Sequence, residues 1–495
     1  MEFSMNCNRV FVRTTIAIGI LSLLAGCANF RPEGTSIALS VPAKYRSTSS
    51  STNNMVTTDI AQDFQEGAQP VPQWWMLYKS EILNALVDEG MINSPNLAAA
   101  EKNLAAAREQ LRAQIGNSTL PSIDVGIQAG RQRELGIPIP GAGTDTMLFN
   151  TFAGQLQASY TIDLFGAARF ANSSLSHQVA AESFQVDAVR RTLAANIVTA
   201  AITASSLQEQ LNANERLVVL AKEEAYEAKR RYALGAGSYS DMLEVQQTAD
   251  TLDSSLPIQR QQLAVASNAL AVLIGRTPDQ APARPAFADL HLPRQIPVMV
   301  PSALLRTRPD VRATEALLEA ASSEFGVATA RMFPQLTLSA GLGRGGLNWS
   351  MLTSSAGDIW GMGASLTQPL FHGGALRAQR RAAQASYEAA AERYKHTVLN
   401  AFQDVADTLA ALEHDTQSLD ASRRAATAAS DRATQALTRV RLGAVPPSIA
   451  RASEQQYRRA QANEIGAKAN LLTDTAKLFH AMGTPPAADV QNSQR

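Results

Sequence analysis

Residues 334–341 read PQLTLSAG, and apolar and polar side chains alternate at every position of this stretch from 335 to 340. Similar alternation recurs at residues 121–128 (PSIDVGIQ), 154–165 (GQLQASYTIDLF) and 360–367 (WGMGASLT). A period of two predicts β-strands with one apolar and one polar face. A soluble sandwich with one wet face shows this pattern, and so does a transmembrane strand, which needs about 9–11 such residues.

Each pair of alternating stretches is followed by a very long helical stretch. Residues 375–440 contain no Pro and no Gly, and residues 170–233 are similar in their Ala, Gln, Glu and Arg content. At ~1.5 Å per residue, a helix over the first of these ranges would be about 100 Å long. Helices far beyond the globular norm need neighbours along their whole length, so we expect lateral association.

The body of the chain is an internal duplication. Each half carries, in the same order, a Pro-led Ala-rich helix, two alternating stretches, a long helix, a Leu-Gly-Ala turn and a further helix. The turns are residues 234–236 and 442–444. Such repetition of ordered landmarks predicts two copies of one structural unit.

The N-terminus has the pattern of a secreted lipoprotein. Arg9 and Arg13 precede an apolar run at residues 16–24, and residues 24–27 read LAGC, a bacterial lipobox. We therefore expect cleavage before Cys27 and lipidation of that cysteine, with an ordinary signal peptide as the alternative. Secretion and lipidation favour the membrane interpretation of the alternating strands and an outer-membrane, lipid-anchored location.

These patterns predict a signal peptide at 1–26, a lipidated extended tether at 27–72, a first repeat at 73–285, a linker at 286–300, a second repeat at 301–485 and a tail at 486–495. In the first repeat we expect strands at about 120–131 and 152–165 and helices at about 168–233 and 240–275. In the second repeat we expect strands at about 334–344 and 358–371 and helices at about 375–440 and 448–482.

Composition and motifs argue against several classes of function. Lys+Arg and Asp+Glu each total 44, so the net charge is zero and gives no basic field for nucleic acid. Residues 341–346 spell GxGxxG, but no helix follows to bind a phosphate. The six His show no metal-ligand spacing, and the two Cys lie near the N-terminus. We expect no enzyme, no cofactor and no metal.

Four strands cannot close a barrel, and open strand edges are not tolerated in lipid. A membrane interpretation therefore requires several copies of the chain. Three copies would supply about twelve strands, enough for a barrel that holds water rather than side chains. The predicted fold class is mixed: an all-α periplasmic barrel plus a transmembrane β-barrel that closes in a trimer.

Several motifs resemble the TolC-type outer-membrane efflux family, and its lipoprotein (NodT-like) branch above all. They are Trp74-Trp75, residues 160–166 (YTIDLFG), residues 304–315 (LLRTRPDVRATE) and residues 369–374 (PLFHGG). The resemblance implies a homotrimer with a twelve-strand outer-membrane barrel on a long periplasmic helical barrel. It also implies two partners, a periplasmic adaptor protein and an inner-membrane transporter.

In this family the closed tip of the channel lies at the helix–turn–helix ends, where acidic residues commonly line the constriction. Asp241 and Glu244 follow the first turn, whereas Arg441 and Arg451 flank the second. The second turn departs from the family by carrying Val445, Ile449 and Ala452 at the positions of the usual charges. Three alternatives stay open for the four charged residues: they form ion pairs with one another, the arginines line the pore and favour anions, or all four are solvated.

The predicted function is a passive outer-membrane exit duct for small toxic compounds or drugs in a tripartite efflux pump. A duct of the same architecture for polypeptides in type I secretion is the first alternative. A periplasm-spanning structural lipoprotein without a pore is the second.

Overall fold

The computed structural model describes residue 42 and residues 62–68, 71–135 and 146–483. The predicted signal peptide, Cys27 and the tail at 486–495 lie outside the described residues. In chain order the strands and helices are β1 (Asp63–Glu66), α1 (Glu81–Asn93), α2 (Pro95–Thr119), β2 (Ser122–Leu135), β3 (Thr146–Ile162), α3 (Ala167–Ala233), α4 (Tyr239–Leu273), β4 (Gln295–Val298), α5 (Pro301–Thr307), α6 (Pro309–Ala330), β5 (Gln335–Gly346), α7 (Trp349–Thr353), β6 (Asp358–Thr367), α8 (Ala375–Arg441) and α9 (Pro447–Met482).

The duplication is visible in the helix lengths. The long helices α3 and α8 have 67 residues each, and the helices that follow them, α4 and α9, have 35 and 36. Both long helices are rich in Ala, which has the highest helix propensity. Helix α4 continues through Pro257, which has no N–H to donate to the helix.

One compact unit comprises, among the described residues, 104–135, 146–181 and 314–394, and it contains the four-stranded antiparallel sheet. Its strand order is β2-β3-β5-β6, so the two strands of the first repeat lie beside the two of the second. Helix packing in this unit is close: a Cβ at Gly326 would lie 2.7 Å from the Phe170 ring. Only Gly fits there without displacing the ring.

The strand ends differ from the sequence prediction at several places. Strand β3 begins at Thr146, before its predicted start near residue 152, and β2 runs past its predicted end near residue 131, because the cross-strand pairing continues as far as Leu135 and Thr146. Strands β3 and β6 end at Ile162 and Thr367, earlier than predicted. Phe165 lies past the end of β3 and stacks on Phe333 with ring centroids 5.0 Å apart, so packing of the rings replaces strand pairing here.

The second compact unit comprises, among the described residues, 62–68, 71–103, 182–313 and 395–483. Strand β1, within the predicted tether, pairs in parallel with β4, within the predicted linker. Tyr78 is fully buried, and its hydroxyl donates to the Leu472 carbonyl at 2.8 Å. Burial raises the pKa of Tyr78 well above its usual value, and the ring fixes the N-terminal segment on α9.

Candidate functional sites: the sheet faces and the hairpin tips

The register of the sheet separates its residues into two faces across all four strands. One row consists of Val125, Leu156, Leu342 and Trp360. The adjacent row consists of Asp124, Gln157, Gly341 and Gly361. The apolar positions predicted from the sequence thus form one continuous apolar face, and the polar positions form the other.

The apolar face is exposed in the single chain. Ile127, Trp360 and Met362 are 87%, 80% and 81% exposed, which is unusual for large apolar side chains. Strand β3 contributes apolar positions from Phe152 to Ile162, a rise of roughly 33 Å along the strand. At a tilt of about 40° this gives a band near 25 Å, the height of the lipid-facing band of membrane barrels.

Helix–turn–helix tips join α3 to α4 and α8 to α9, and their backbones match. Gly235 and Gly443 each have a φ of 73°. The Ala after each glycine donates its N–H to the carbonyl five residues earlier, at 2.8 Å in the first tip and 2.9 Å in the second. Both are glycine helix stops that satisfy the last helical carbonyls, which explains the repeated Leu-Gly-Ala sequence.

The caps that follow the two turns differ. Ser238 caps α4, and its hydroxyl accepts the N–H of Asp241 at 3.0 Å. The second tip has Pro446 at the cap position and Pro447 at the first helical position, with no side-chain cap. Tyr232 and Tyr239 pack across the first turn with ring centroids 5.3 Å apart.

Arg451 forms an ion pair with a residue that was not predicted from the sequence. Its guanidinium pairs with Glu227 of α3, and Gln455 one turn later donates to Glu224 at 2.8 Å. The Arg451 side chain is 15% exposed, against 46% for Glu227. Arg451 therefore joins the second hairpin to the first, and within the protomer it does not pair with Asp241 or Glu244.

The other three predicted gate residues are placed differently. Asp241 and Glu244 are exposed in the first two turns of α4, and Arg441 is the last residue of α8. Within the described part of the protomer, none of these three side chains forms an ion pair. The structure thus does not bring the four predicted charges together in one chain.

An unpredicted charged cluster lies at the start of the second repeat. Arg308 donates to both carboxylate oxygens of Asp310, at 3.0 and 2.7 Å, and to Asp404 at 2.9 Å. It also donates to the Ala481 carbonyl at 3.1 Å. Asp404 thus links α8 to this cluster.

Electrostatics in this cluster favour the charged forms. Burial alone would lower the pKa of Arg308, but its hydrogen bonds to Asp310 and Asp404 and their charges raise it. Burial alone would raise the pKa of Asp310, and Arg308 lowers it overall. Because Arg308 bonds to α8 and α9 as well, we interpret the cluster as a structural clamp. Its signal in the sequence is the RPD motif before an Ala-rich helix.

Other kinds of site are not evident in the described residues. Within the described ranges, no group of three or more His, Cys, Asp or Glu side chains is arranged to hold a metal. No helix among the described residues combines the length and apolar character that a membrane-spanning helix needs.

A family model and individual relatives identify the same protein family. The model of the family described as "Outer membrane efflux protein" matches residues 86–276 and 300–484. The chain is 33% identical over 371 residues to the pyoverdine export outer membrane protein OpmQ of Pseudomonas putida, covering 72% of this chain and 75% of that protein. It is 28% identical over 374 residues to the outer membrane protein OprJ of Pseudomonas aeruginosa, covering 71% of this chain and 77% of the relative.

Solved structures show the same fold. The chain superposes on the outer-membrane channel OprN with a TM-score of 0.78, at 23% identity, over 92% of this chain and 99% of that one. It superposes on the Campylobacter jejuni CmeC outer membrane channel with a TM-score of 0.79, at 20% identity, over 94% and 97% of the two chains. These matches confirm the resemblance found in the sequence. The chain belongs to the outer membrane efflux protein family, whose members are transport ducts of the outer membrane and not enzymes.

Proposed function

We propose that three copies of the chain close a twelve-strand barrel and form a passive exit duct through the outer membrane. The observation that carries this proposal is the sheet, which has one exposed apolar face and two open edges, at β2 and β6. Lipid solvates the apolar face but cannot satisfy the backbone groups of an open edge. A second copy of the chain can satisfy them.

Strand directions support closure by copies of the same chain. The strands alternate in direction across β2-β3-β5-β6, so β6 of one copy runs antiparallel to β2 of the next. Two copies would give eight strands, an interior that side chains fill. Three copies give twelve strands and a water-filled bore lined by the polar face.

The long helices supply the periplasmic part of the proposed duct. At ~1.5 Å per residue, the 67 residues of α3 and of α8 correspond to about 100 Å each. Helices of this length, packed side by side in a trimer, form a tunnel toward the inner membrane. A periplasmic adaptor and an inner-membrane transporter, which supplies the energy, are the proposed partners.

The hairpin tips are the proposed periplasmic gate. Asp241, Glu244 and Arg441 are free to meet their counterparts from other copies, because each is exposed in the protomer. Arg451 has a different proposed role, because its ion pair with Glu227 holds the second tip against α3. We infer that Arg451 controls the tip position and that the other three charges face the opening.

Small compounds are the proposed cargo. Relatives of this chain are named for export of pyoverdine, toluene and antibiotics, all small molecules of different shape and charge. The polar face consists mostly of Gly, Ser, Thr and Gln, a generic wet surface. The polar face favours passive passage over recognition of the cargo by the barrel. The names of the relatives favour efflux of small molecules over secretion of polypeptides.

The anchor and the chain organisation remain as proposed from the sequence. We propose removal of residues 1–26, lipidation of Cys27 and a tether from there into the first repeat. Mass spectrometry of the mature chain tests this: acyl groups on an N-terminal Cys27 are expected. An unmodified chain that begins elsewhere would contradict the lipid anchor.

Matched variants on opposite faces of β3 test the duct. Leu156 lies on the apolar face and Gln157 on the polar face. A charge near the bilayer midplane costs about 2–4 kcal/mol, so Leu156→Lys should lose trimer assembly and channels in planar bilayers. Gln157→Lys should retain both. A monomeric wild-type protein without ion channels would overturn the proposed function.

A further inference from the structure

The face of β2 that carries the apolar residues changes character at its loop end. Ile127 and Ala129 are followed on the same face by Arg131 and Arg133, opposite Asn150 and Leu148 of β3. The pairing with β3 runs without interruption from Ser122 to Leu135, so no bulge moves either arginine to the other face. Two arginines thus continue the outward face directly beyond the apolar band.

Neither arginine pairs with an acidic side chain in the described part of the chain. Both are exposed, and among the described side chains neither has an ion-pair partner. Arg344 provides the contrast: it lies on the same face of the sheet and pairs with Asp358 of the neighbouring strand at 2.7 Å. The described residues of the sheet thus give Arg344, in the row of Ile127 and Gly154, an acidic partner, but give none to Arg131 or Arg133 on the edge strand β2.

The position of Arg131 and Arg133 along β2 indicates which part of the membrane they contact; this step rests on the proposed membrane duct. In that duct, the apolar residues of β2 that precede Arg131 on the same face contact acyl chains. With a rise of about 3.3 Å per residue and a tilt near 40°, Arg131 lies roughly 5 Å beyond Ala129 along the membrane normal. That step leads from the acyl chains into the headgroup layer. The loops that join β2 to β3 and β5 to β6 mark the external end, because α3 and α8 leave from the other end.

We propose that Arg131 and Arg133 form a binding site for the phosphate groups of an outer-leaflet lipid. Guanidinium groups bind phosphate oxygens through paired charge-assisted hydrogen bonds. A spacing of two residues puts the two groups about 7 Å apart on one face, which suits a headgroup that carries more than one phosphate. The apolar row beside them contacts the acyl chains of the same lipid.

Binding of purified lipid A to the full-length protein in detergent tests the site, measured by native mass spectrometry. The bisphosphorylated lipid should bind wild type, and Arg131→Gln/Arg133→Gln should weaken binding at least about tenfold, the size of one lost charge-assisted hydrogen bond. Arg230→Gln/Arg231→Gln is the matched control, because it removes two exposed arginines from the last turn of α3. This control should bind as wild type does.

Two further probes separate a lipid site from a general anion site. Dephosphorylated lipid A should bind wild type and the double variant equally and weakly, and inorganic phosphate should compete poorly. Equal affinity of wild type and the double variant for the bisphosphorylated lipid, an equal loss in the control, or effective competition by inorganic phosphate would each overturn the proposal.

Channel formation by the same samples keeps this inference apart from the proposed function. Wild type and both double variants should form channels in planar bilayers. Channels without phosphate-dependent lipid binding contradict the lipid site alone. Absence of channels from wild type contradicts the duct, whatever the lipid result.

Discussion

The two helical hairpins, α3–α4 and α8–α9, have turns of the same conformation but differ in the charges that face each other between their helices. In the first hairpin, Lys222 of α3 pairs with Asp253 of α4, and Glu215 with Arg260, each at 2.8 Å. A buried cluster lies between these two helices, formed by Leu211, Val218, Leu256 and Leu263. Opposite charges and apolar contacts thus both hold the first hairpin together.

The second hairpin places like charges together. Asp415 of α8 faces Asp474 of α9; burial, a hydrogen bond with Asp474 and its charge raise the pKa of Asp415 to about 6. Burial lowers the pKa of Lys468 on α9; Glu464 of the same helix opposes this shift, and Arg423 on α8 adds to it. The pair of Arg451 instead reaches α3. The duplication thus preserved the backbone of the two turns while the charges that face across the hairpins diverged.

The largest effect should come from cutting the link between the hairpins. Arg451→Ala removes a charge-assisted contact of a largely buried guanidinium and should lower the free energy of unfolding by about 2 kcal/mol. Urea denaturation of the detergent-solubilised protein, followed by helical circular dichroism, measures this. Arg441→Ala, at the same tip, should change stability by less than about 0.5 kcal/mol. Equal losses would remove the distinction that we draw between the two arginines.

A second prediction tests the glycine turn conformation that is common to both hairpins. Gly235→Ala and Gly443→Ala each force a side chain into a φ of 73°, although neither added Cβ has a neighbour within 4 Å. Each should therefore cost about 1 kcal/mol, from the backbone alone. Gly237→Ala, where φ is not positive, is the control and should be close to neutral. A large difference between Gly235→Ala and Gly443→Ala would break the equivalence of the two turns.

Local rules explain why the turns and the sheet faces could be predicted from the sequence. A Leu-Gly-Ala triplet after a helix has one common solution, a glycine with positive φ, and a period of two assigns each strand residue to a face. The missing Pro and Gly in residues 375–440 likewise predicted α8. In each case the neighbours that decide the structure lie within a few residues.

Contacts between distant segments could not be predicted in this way. Glu227 is separated from Arg451 by 224 residues, and α3 offers several other glutamates. Strands β1 and β4 have four residues each, too few for alternation to be visible. The link from Arg308 to Asp404 spans 96 residues. Only the tertiary fold selects these partners from many equivalent candidates.

A third prediction concerns the like charges in the second hairpin. The folded chain holds the Asp415 proton to about pH 6, above its usual pKa of 3.8, so stability falls as pH rises between these values. Asp415→Asn should remove this dependence and stabilise the protein above pH 6, by about 1 kcal/mol because solvent screens a partly exposed carboxylate. Below pH 4 the variant should match wild type.

Urea denaturation at a series of pH values measures this effect. Asp407→Asn is the control, since Asp407 lies on the same helix and is exposed. An unchanged pH profile in Asp415→Asn would show that the two carboxylates do not oppose each other across the hairpin.

The smallest effect is expected at the ion pairs of the first hairpin. The side chains of Lys222 and Asp253 are 54% and 45% exposed, and such pairs contribute about 0.5 kcal/mol. A double-mutant cycle with Lys222→Gln and Asp253→Asn should give this coupling at low salt and almost none at 1 M salt, where the Debye length is about 3 Å. A coupling as large as the loss in Arg451→Ala would mean that surface charges hold α3 to α4 as firmly as Arg451 holds the second hairpin to the first. A coupling near zero at low salt would leave the buried leucines and Val218 as the main contact between α3 and α4, so the hairpins would differ in packing rather than in charge.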